Sequence, residues 1–188
     1  MTNELLWFLS RATGIVSIVL MTVVLVLGMS LSGRRTPGSD TSTVLIATHR
    51  WLSLGMVAFL LTHIATAIAE TYVSIDLISA VVPFSSAYRP FWVGLGTLAF
   101  DILVAVMVTS LLRHRLSPRA WRAVHWLTYA LWPIALIHGF VLGTANEPML
   151  RAITALSGVV GAAVVGWRLT TTHHDRDRRR HIATQEWT

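Results

Sequence analysis

The sequence predicts an all-α integral membrane protein, a bundle of five transmembrane helices. Hydrophobic residues make up 54% of the 188 residues, charged residues only 13%, and the mean hydropathy is +0.61. A soluble domain has about 25% charged residues, so this composition suits a chain surrounded by a lipid bilayer and argues against a nucleic-acid-binding protein. Five stretches reach the roughly 20 residues that a helix needs to cross the hydrocarbon core. They are Leu5–Leu31, Val44–Ala69, Phe91–Leu112, Ala120–Gly143 and Leu150–Leu169.

The first stretch is predicted to remain as a membrane helix and not to be a cleaved signal peptide. No basic residue precedes Arg11, the apolar run from Ala12 to Leu31 is longer than the core of a signal peptide, and no small-x-small cleavage site follows. We therefore expect one membrane domain, residues 1–170, and a basic tail, residues 171–188. The tail is expected to be disordered and to contact anionic headgroups, with weak metal binding by His173, His174 and His181 as the alternative.

Arginines predict the orientation of the bundle, because the chain has fifteen of them and no lysine. Twelve fall before the second helix, between the third and fourth, or after the fifth. The other three are Arg11, Arg89 and Arg151. The positive-inside rule then places the N-terminus outside and the C-terminus in the cytoplasm, in a multi-pass protein of a cell membrane such as the bacterial cytoplasmic membrane.

The second and fourth helices each carry two histidines, and with this orientation both helices run outward. His49 and His125 lie near the inner ends, and His63 and His138 lie about 20 Å further out. Histidines at two matched depths on two helices are the ligand pattern for two stacked haems. The sequence thus predicts an inner site of His49 with His125 and an outer site of His63 with His138. The absence of cysteine excludes thiolate ligands, iron–sulfur clusters and covalent haem attachment.

The helical angles suit one pair of offsets better than the other. The 14 steps from His49 to His63 return to within roughly 40° of the same face, whereas the 13 steps from His125 to His138 leave about 140°. Pro133 lies between the latter two, so a kink or a rewound turn is expected to bring them together. Two alternatives remain: each histidine could simply hydrogen-bond to a neighbouring helix, or bind zinc, although the HxxxH spacing typical of zinc is absent.

These residues resemble the ferric reductase-like transmembrane domain, a superfamily that includes NADPH oxidases, ferric reductases and the haem subunit of bacterial methionine sulfoxide reductase systems. The resemblance rests on His49-Arg50-x-Leu52, Thr62-His63, Trp121-Arg122-x-x-His125 and His138-Gly139. It implies two bis-histidine b-type haems and electron passage from the cytoplasmic to the outer face. Oxidases and ferric reductases generally have six helices and a nucleotide-binding domain, and the 188 residues contain no glycine loop for a nucleotide. We therefore expect a separate electron donor, a quinol or a flavoprotein, and an acceptor at the outer face.

Several charged residues are candidates for tuning these sites. Arg11 is expected to bind an outer haem propionate, assisted by Arg89 or Tyr88, or to extend to the outer headgroups. Arg50 and Arg122, beside the inner histidines, could bind propionates, dock a donor or anchor the helix ends. Asp101, near mid-bilayer, could relay protons to a quinone site, accept a bond from a ligand histidine, or be a protonated structural group.

Two further segments carry expectations of their own. Ile75 to Val82 is predicted to lie flat on the membrane where an acceptor could approach, and Pro83 would end it. Ser157, Gly158, Gly161 and Ala162 predict close packing of the fifth helix against a helix of this bundle or of another chain. Two function classes follow: a cytochrome module of a reductase, which could itself reduce ferric chelates, or a membrane scaffold without a cofactor.

Overall fold

The fold is described from a computed structural model that covers residues 2–32, 40–73, 75–143 and 147–185, with side chains described up to residue 170 apart from Thr2 and Ser32. Within these ranges the chain is helical and contains no strand. The helices are α1 (Thr2–Ser32), α2 (Asp40–Ala69), α3 (Pro90–Leu111), α4 (Pro118–His125), α5 (Thr128–Leu142) and α6 (Pro148–Gln185). Two short 3-10 helices occupy Ile78–Ala80 and Arg113–Arg115.

Five spans are long and apolar enough to cross a membrane, which confirms the predicted bundle. They are Asn3–Leu31, Asp40–Ala69, Pro90–Leu111, Pro118–Leu142 and Pro148–Thr170. The fourth span is formed by α4 and α5 together. The direction of the bundle in the membrane stays a prediction, and "inner" and "outer" below follow it.

The core lies in the middle of the bundle, where α1 packs on α2 and also contacts α5 and α6, and α3 packs on α5. Its buried side chains are Met21, Leu25, Met29, Met56, Ala99, Leu103, Leu131 and Trp132. The indole Nε1 of Trp132 donates to the hydroxyl of Thr22 at 3.0 Å, so the one polar atom of this large side chain is satisfied inside the core.

The small residues of the fifth span pack inside the bundle. A Cβ atom added at Gly161 would overlap the Trp132 indole, and one at Gly158 would touch Leu136. Ser157 is buried. These glycines therefore let α6 approach α5 closely, which answers the question of where their partner lies.

The tail is helical, where disorder was expected. α6 continues through residues 171–185 to Gln185. This stretch contains neither proline nor glycine, the two residues that most strongly end a helix. The side chains of His173, His174 and His181 lie outside the described part, so their predicted role stays a prediction.

Candidate functional site

The four intramembrane histidines come together as two pairs across α2 and the fourth span. The ring centroids of His49 and His125, the inner pair, are 6.5 Å apart with ring planes at 55°. Those of His63 and His138, the outer pair, are 6.4 Å apart with planes at 85°. Each pair joins the residues that were expected to share a depth.

The ring separations can be compared with those of two imidazoles that bind one metal ion from opposite sides. A metal–nitrogen bond is about 2.0 Å and the nitrogen lies about 1.1 Å from the ring centre, so the two centroids would be about 6.2 Å apart. Both pairs lie close to this value. Among the described residues no group of three or more histidine, cysteine, aspartate or glutamate side chains could hold a metal ion. Each pair thus offers two axial ligands and suits a metal whose other ligands come from a macrocycle.

A rewound turn lies between His125 and His138, as the angular argument required, but it begins before Pro133. The helical bonds tighten to i→i−3 spacing for Leu127, Tyr129 and Ala130. Each residue wound at three per turn adds about 20° over an α-helix, so these bonds recover part of the missing 140°. The α5 helix then continues through Pro133. The turn immediately follows His125, the last residue of α4.

The outer histidines are held by backbone carbonyls on neighbouring helices. Nδ1 of His63 donates to the Ser10 carbonyl of α1 at 2.7 Å, and Nδ1 of His138 donates to the Trp92 carbonyl of α3 at 2.8 Å. A carbonyl can only accept, so Nδ1 must carry the proton and Nε2 keeps its lone pair. Both rings therefore present a nitrogen that can bind a metal.

A glycine lies four residues after each of these carbonyls and makes room for the ring. A Cβ atom at Gly96 would lie closer than 3.0 Å to three atoms of the His138 ring, and one at Gly14 would be 2.9 Å from Nδ1 of His63. Gly28 stands in the same relation to His49, with 3.4 Å to Cε1. Gly14 and Gly28 are 14 residues apart, as are His49 and His63. This matching offset is a sequence signal that could have identified them.

The inner pair is held differently. Nδ1 of His49 and Nδ1 of His125 are buried without a hydrogen-bond partner in the described part of the chain. The His125 ring instead stacks on Trp121, with centroids 5.0 Å apart and planes at 24°. The Arg113 guanidinium lies 4.6 Å from the Trp121 ring centre. Trp121 and Arg113 thus connect His125 to the arginine-rich loop.

A cavity of about 190 Å³ opens beside the outer pair and is walled mainly by aliphatic side chains of α1, α2, α3 and α5. Its polar lining includes Arg11, Glu70, Tyr88 and Arg151. Nη1 of Arg11 donates to the Leu142 carbonyl at 2.7 Å, and its charge interacts with Glu70 and Tyr88. Two cations therefore border this cavity.

Glu70, which the sequence reasoning missed, is one of the most buried polar residues. Only 6% of its surface is exposed, and its Oε2 atom has no hydrogen-bond partner among the described residues. A buried carboxylate oxygen without a donor is costly unless it is protonated or lies near a cation. Arg11 provides that neighbouring charge. The isolated acidic residue directly after the second apolar stretch was the available signal.

The remaining predicted residues lie outside the two pairs. Arg50 and Arg122 are exposed, although each neighbours a pair histidine in sequence or by one helical turn. Arg89 is also exposed and lies over Tyr88, in the left-handed backbone region at φ 39°. Asp101 makes no hydrogen bond to any histidine in the described part of the chain, so no second-shell contact of the kind considered forms.

The outer segment between α2 and α3 is held on α3. Only Ile78–Ala80 of the expected interfacial helix is helical, and it is a 3-10 turn. The Thr97 hydroxyl donates to the Ser79 carbonyl at 2.6 Å, and the carboxylate of Asp76 accepts from the backbone and hydroxyl of Ser79. Leu77, Ile78 and Val81 remain exposed, as expected of side chains at a membrane surface.

Comparison with known proteins gives one result. The family model described as ferric reductase like transmembrane component matches residues 13–136, which include His49, His63 and His125 and end two residues before His138. No curated protein and no solved structure matches the chain significantly. The family match covers well over half of the chain and three of the four paired histidines. The chain therefore belongs to the ferric reductase-like transmembrane family.

Proposed function

We propose that this protein is a membrane electron-transfer module that holds two b-type haems and passes electrons from the inner to the outer face. One haem would lie between His49 and His125 and the other between His63 and His138. The proposal is carried by one observation, the centroid separations of 6.5 and 6.4 Å, which suit two imidazoles on one iron. The pairs are about 20 Å apart along α2, so together they would bridge much of the hydrocarbon core.

The protein contributes ligand orientation to this function. The Ser10 and Trp92 carbonyls hold the proton of the outer histidines on Nδ1 and leave Nε2 free to bind iron. Gly14 and Gly96 let the rings approach these carbonyls. At the inner pair, Trp121 restrains the plane of His125 by stacking. Haem, when bound, supplies reversible one-electron chemistry in this setting.

The polar residues of the outer cavity supply electrostatics. Arg11 and Arg151 are suited to hold the carboxylates of a cofactor whose apolar faces contact the aliphatic walls. Positive charge at this position favours the reduced state of a bound cofactor, because added electron density is stabilised in a medium of low dielectric constant. Glu70 moderates that field from the same cavity.

The two ends of the bundle differ in the partner they suit. Exposed arginines at the inner end favour an acidic donor protein, and a bilayer quinol is the alternative donor. The outer segment Thr71–Pro90 borders the cavity at Val73, Ile75, Ser79 and Ala80, where an acceptor would approach. We place the protein in a cell membrane, with the bacterial cytoplasmic membrane as the expected one.

Haem content tests the proposal directly. The protein is purified with haem supplied during expression, and pyridine haemochrome is quantified per mole of chain. Two haems per chain and sharp reduced absorption bands are expected. A value near one would remove one pair, and a value near zero would reject electron transfer in favour of a scaffold.

Single substitutions then test the pairing. His63→Ala and His138→Ala should remove the same haem, with one redox transition left in a potentiometric titration. His49→Ala and His125→Ala should remove the other. His114→Ala is the matched control, because His114 is exposed in the Arg113–Arg115 turn. If His63→Ala and His138→Ala affect different transitions, the pairing is wrong.

A further inference from the structure

Asp101 is a carboxylate in the middle of a membrane span. It is the twelfth of the 22 residues of α3 and follows Gly96, which packs on the outer histidine His138, by five positions. Its side chain is half-buried, not enclosed by the bundle. Asp101 therefore lies at a depth between the two histidine pairs, where an unpaired polar group is costly.

The side chain lies on the exposed face of α3. Val104, Val108 and Leu111 follow it at helical spacing and are 43%, 47% and 70% exposed. The buried residues Thr97, Leu103 and Val106 occupy the opposite face. Among the helices, α3 packs chiefly against α5 and α4. Apolar exposure is normal where a helix faces lipid, so the carboxylate, and not the valines, is the unusual feature of this face.

No residue of this chain answers the charge. Among the described residues Asp101 has no hydrogen bond and no ion pair. The chain has no lysine, and α3 itself contains no arginine. The arginines of the described spans lie at or beyond the levels of the two histidine pairs: Arg11 and Arg151 border the outer cavity, and Arg50 adjoins His49.

We propose that Asp101 and the exposed face of α3 bind a transmembrane helix of a different subunit, which presents a basic side chain at mid-membrane depth. Inside a bilayer a carboxylate and a basic group lower each other's burial cost, and such a pair also fixes the register of two helices. A second copy of this chain is disfavoured, because it would bring a carboxylate and no arginine to this depth. The interface would use Asp101, Val104 and Val108.

Site-specific photo-crosslinking in the membranes of the source organism tests the proposal. Benzoylphenylalanine is placed at Val104 or Val108, with Leu61 as the control position because it is 50% exposed on α2. Crosslinked peptides are sequenced by mass spectrometry. Both α3 positions should capture the same transmembrane segment of another protein, that segment should carry a mid-span lysine or arginine, and position 61 should not capture it.

The carboxylate is then varied. Asp101→Asn and Asp101→Leu should each reduce the crosslinked fraction, by about tenfold for leucine, which is the scale of one interhelical polar contact in a membrane. Asp101→Lys combined with an aspartate in place of the partner's basic residue should restore it. Haem content and size-exclusion profile show whether each variant is folded, and the asparagine variant carries the test if the leucine variant is not.

Three outcomes would overturn the proposal. They are capture of a second copy of this chain, capture of lipid alone from positions 104 and 108, and a crosslinked fraction that Asp101→Asn and Asp101→Leu leave unchanged. Haem stoichiometry is measured on the same samples. Failure of the interface is thereby distinguished from failure of the electron-transfer function.

Discussion

The Nδ1 atom of His138 lies 2.8 Å from the carbonyl oxygen of Trp92, one helical turn before Gly96 on α3. The same arrangement joins His63 to Ser10, one turn before Gly14 on α1. Two remote helices thus orient the two outer rings by the same means. In each case the missing glycine side chain lets an imidazole reach a backbone carbonyl of the neighbouring helix.

Gly96→Ala should remove the outer haem and spare the inner one. The new Cβ atom would lie closer than 3.0 Å to three atoms of the His138 ring, so the ring must leave its present position. Haem stoichiometry should fall from about two to about one per chain. Gly55→Ala is the control, because a Cβ atom there meets nothing within 4 Å. Equal haem content in the two variants would contradict this role of Gly96.

The ring planes predict different electron paramagnetic resonance signals for the two oxidised haems. Each imidazole donates into the iron orbital perpendicular to its plane, so two rings at 85° keep two orbitals nearly equal in energy and give a strongly anisotropic low-spin signal. Rings at 55° separate these orbitals more. The more anisotropic signal should disappear in His63→Ala. Its loss in His49→Ala instead would reverse the assignment.

Arg11 should stabilise both the fold and the outer site, because it donates to the Leu142 carbonyl and lies near buried Glu70. Arg11→Met should lower stability by about 2 kcal/mol, the scale of a charged hydrogen bond, and weaken outer haem binding. Arg11→Lys keeps the charge and should retain most of both. Thermal denaturation in detergent and haem titration measure the two effects.

Glu70→Gln provides the second half of this test. If Arg11 offsets the buried carboxylate, the double variant Arg11→Met/Glu70→Gln should be more stable than Arg11→Met alone, because no charge is left uncompensated. Additive losses in the double variant would show that the two residues act independently.

Reduction of the inner haem by a flavoprotein should slow as salt rises, because exposed charges are screened within roughly 8 Å at physiological ionic strength. Arg119→Gln/Arg122→Gln should weaken this dependence, and Arg89→Gln at the outer end should not. Stopped-flow reduction in proteoliposomes at two salt concentrations gives the measurement. Salt-independent reduction by a quinol analogue would instead assign the donor to the bilayer.

Asp76 should hold the outer segment at neutral pH and release it in acid. Hydrogen bonds from the hydroxyl and backbone of Ser79 lower the pKa of Asp76 below its usual range. A lowered folded-state pKa stabilises the segment above the unfolded value of about 3.9, and this contribution is lost as pH falls through the folded value. Hydrogen exchange at Ser79 should therefore rise only below about pH 4. In Asp76→Asn it should be fast and insensitive to pH across that range.

The sequence by itself determined the five spans, the two histidine offsets and the family. Span length follows from bilayer thickness, and an apolar run long enough to cross it has few alternatives to a helix. The offsets of 14 and 13 residues also identified which histidines share a depth. Even the rewound turn near Trp126 was expected, because 13 residues of regular helix would have placed His125 and His138 on different faces.

Only the tertiary structure decided which faces of these helices meet. In a membrane, lipid and protein core are both apolar, so hydrophobic periodicity does not distinguish an inward from an outward face. For this reason the glycines behind His63 and His138, the burial of Glu70 and the exposure of Asp101 could not be deduced from the pattern. Each depends on a contact between helices far apart in sequence, and packing alone sets those contacts.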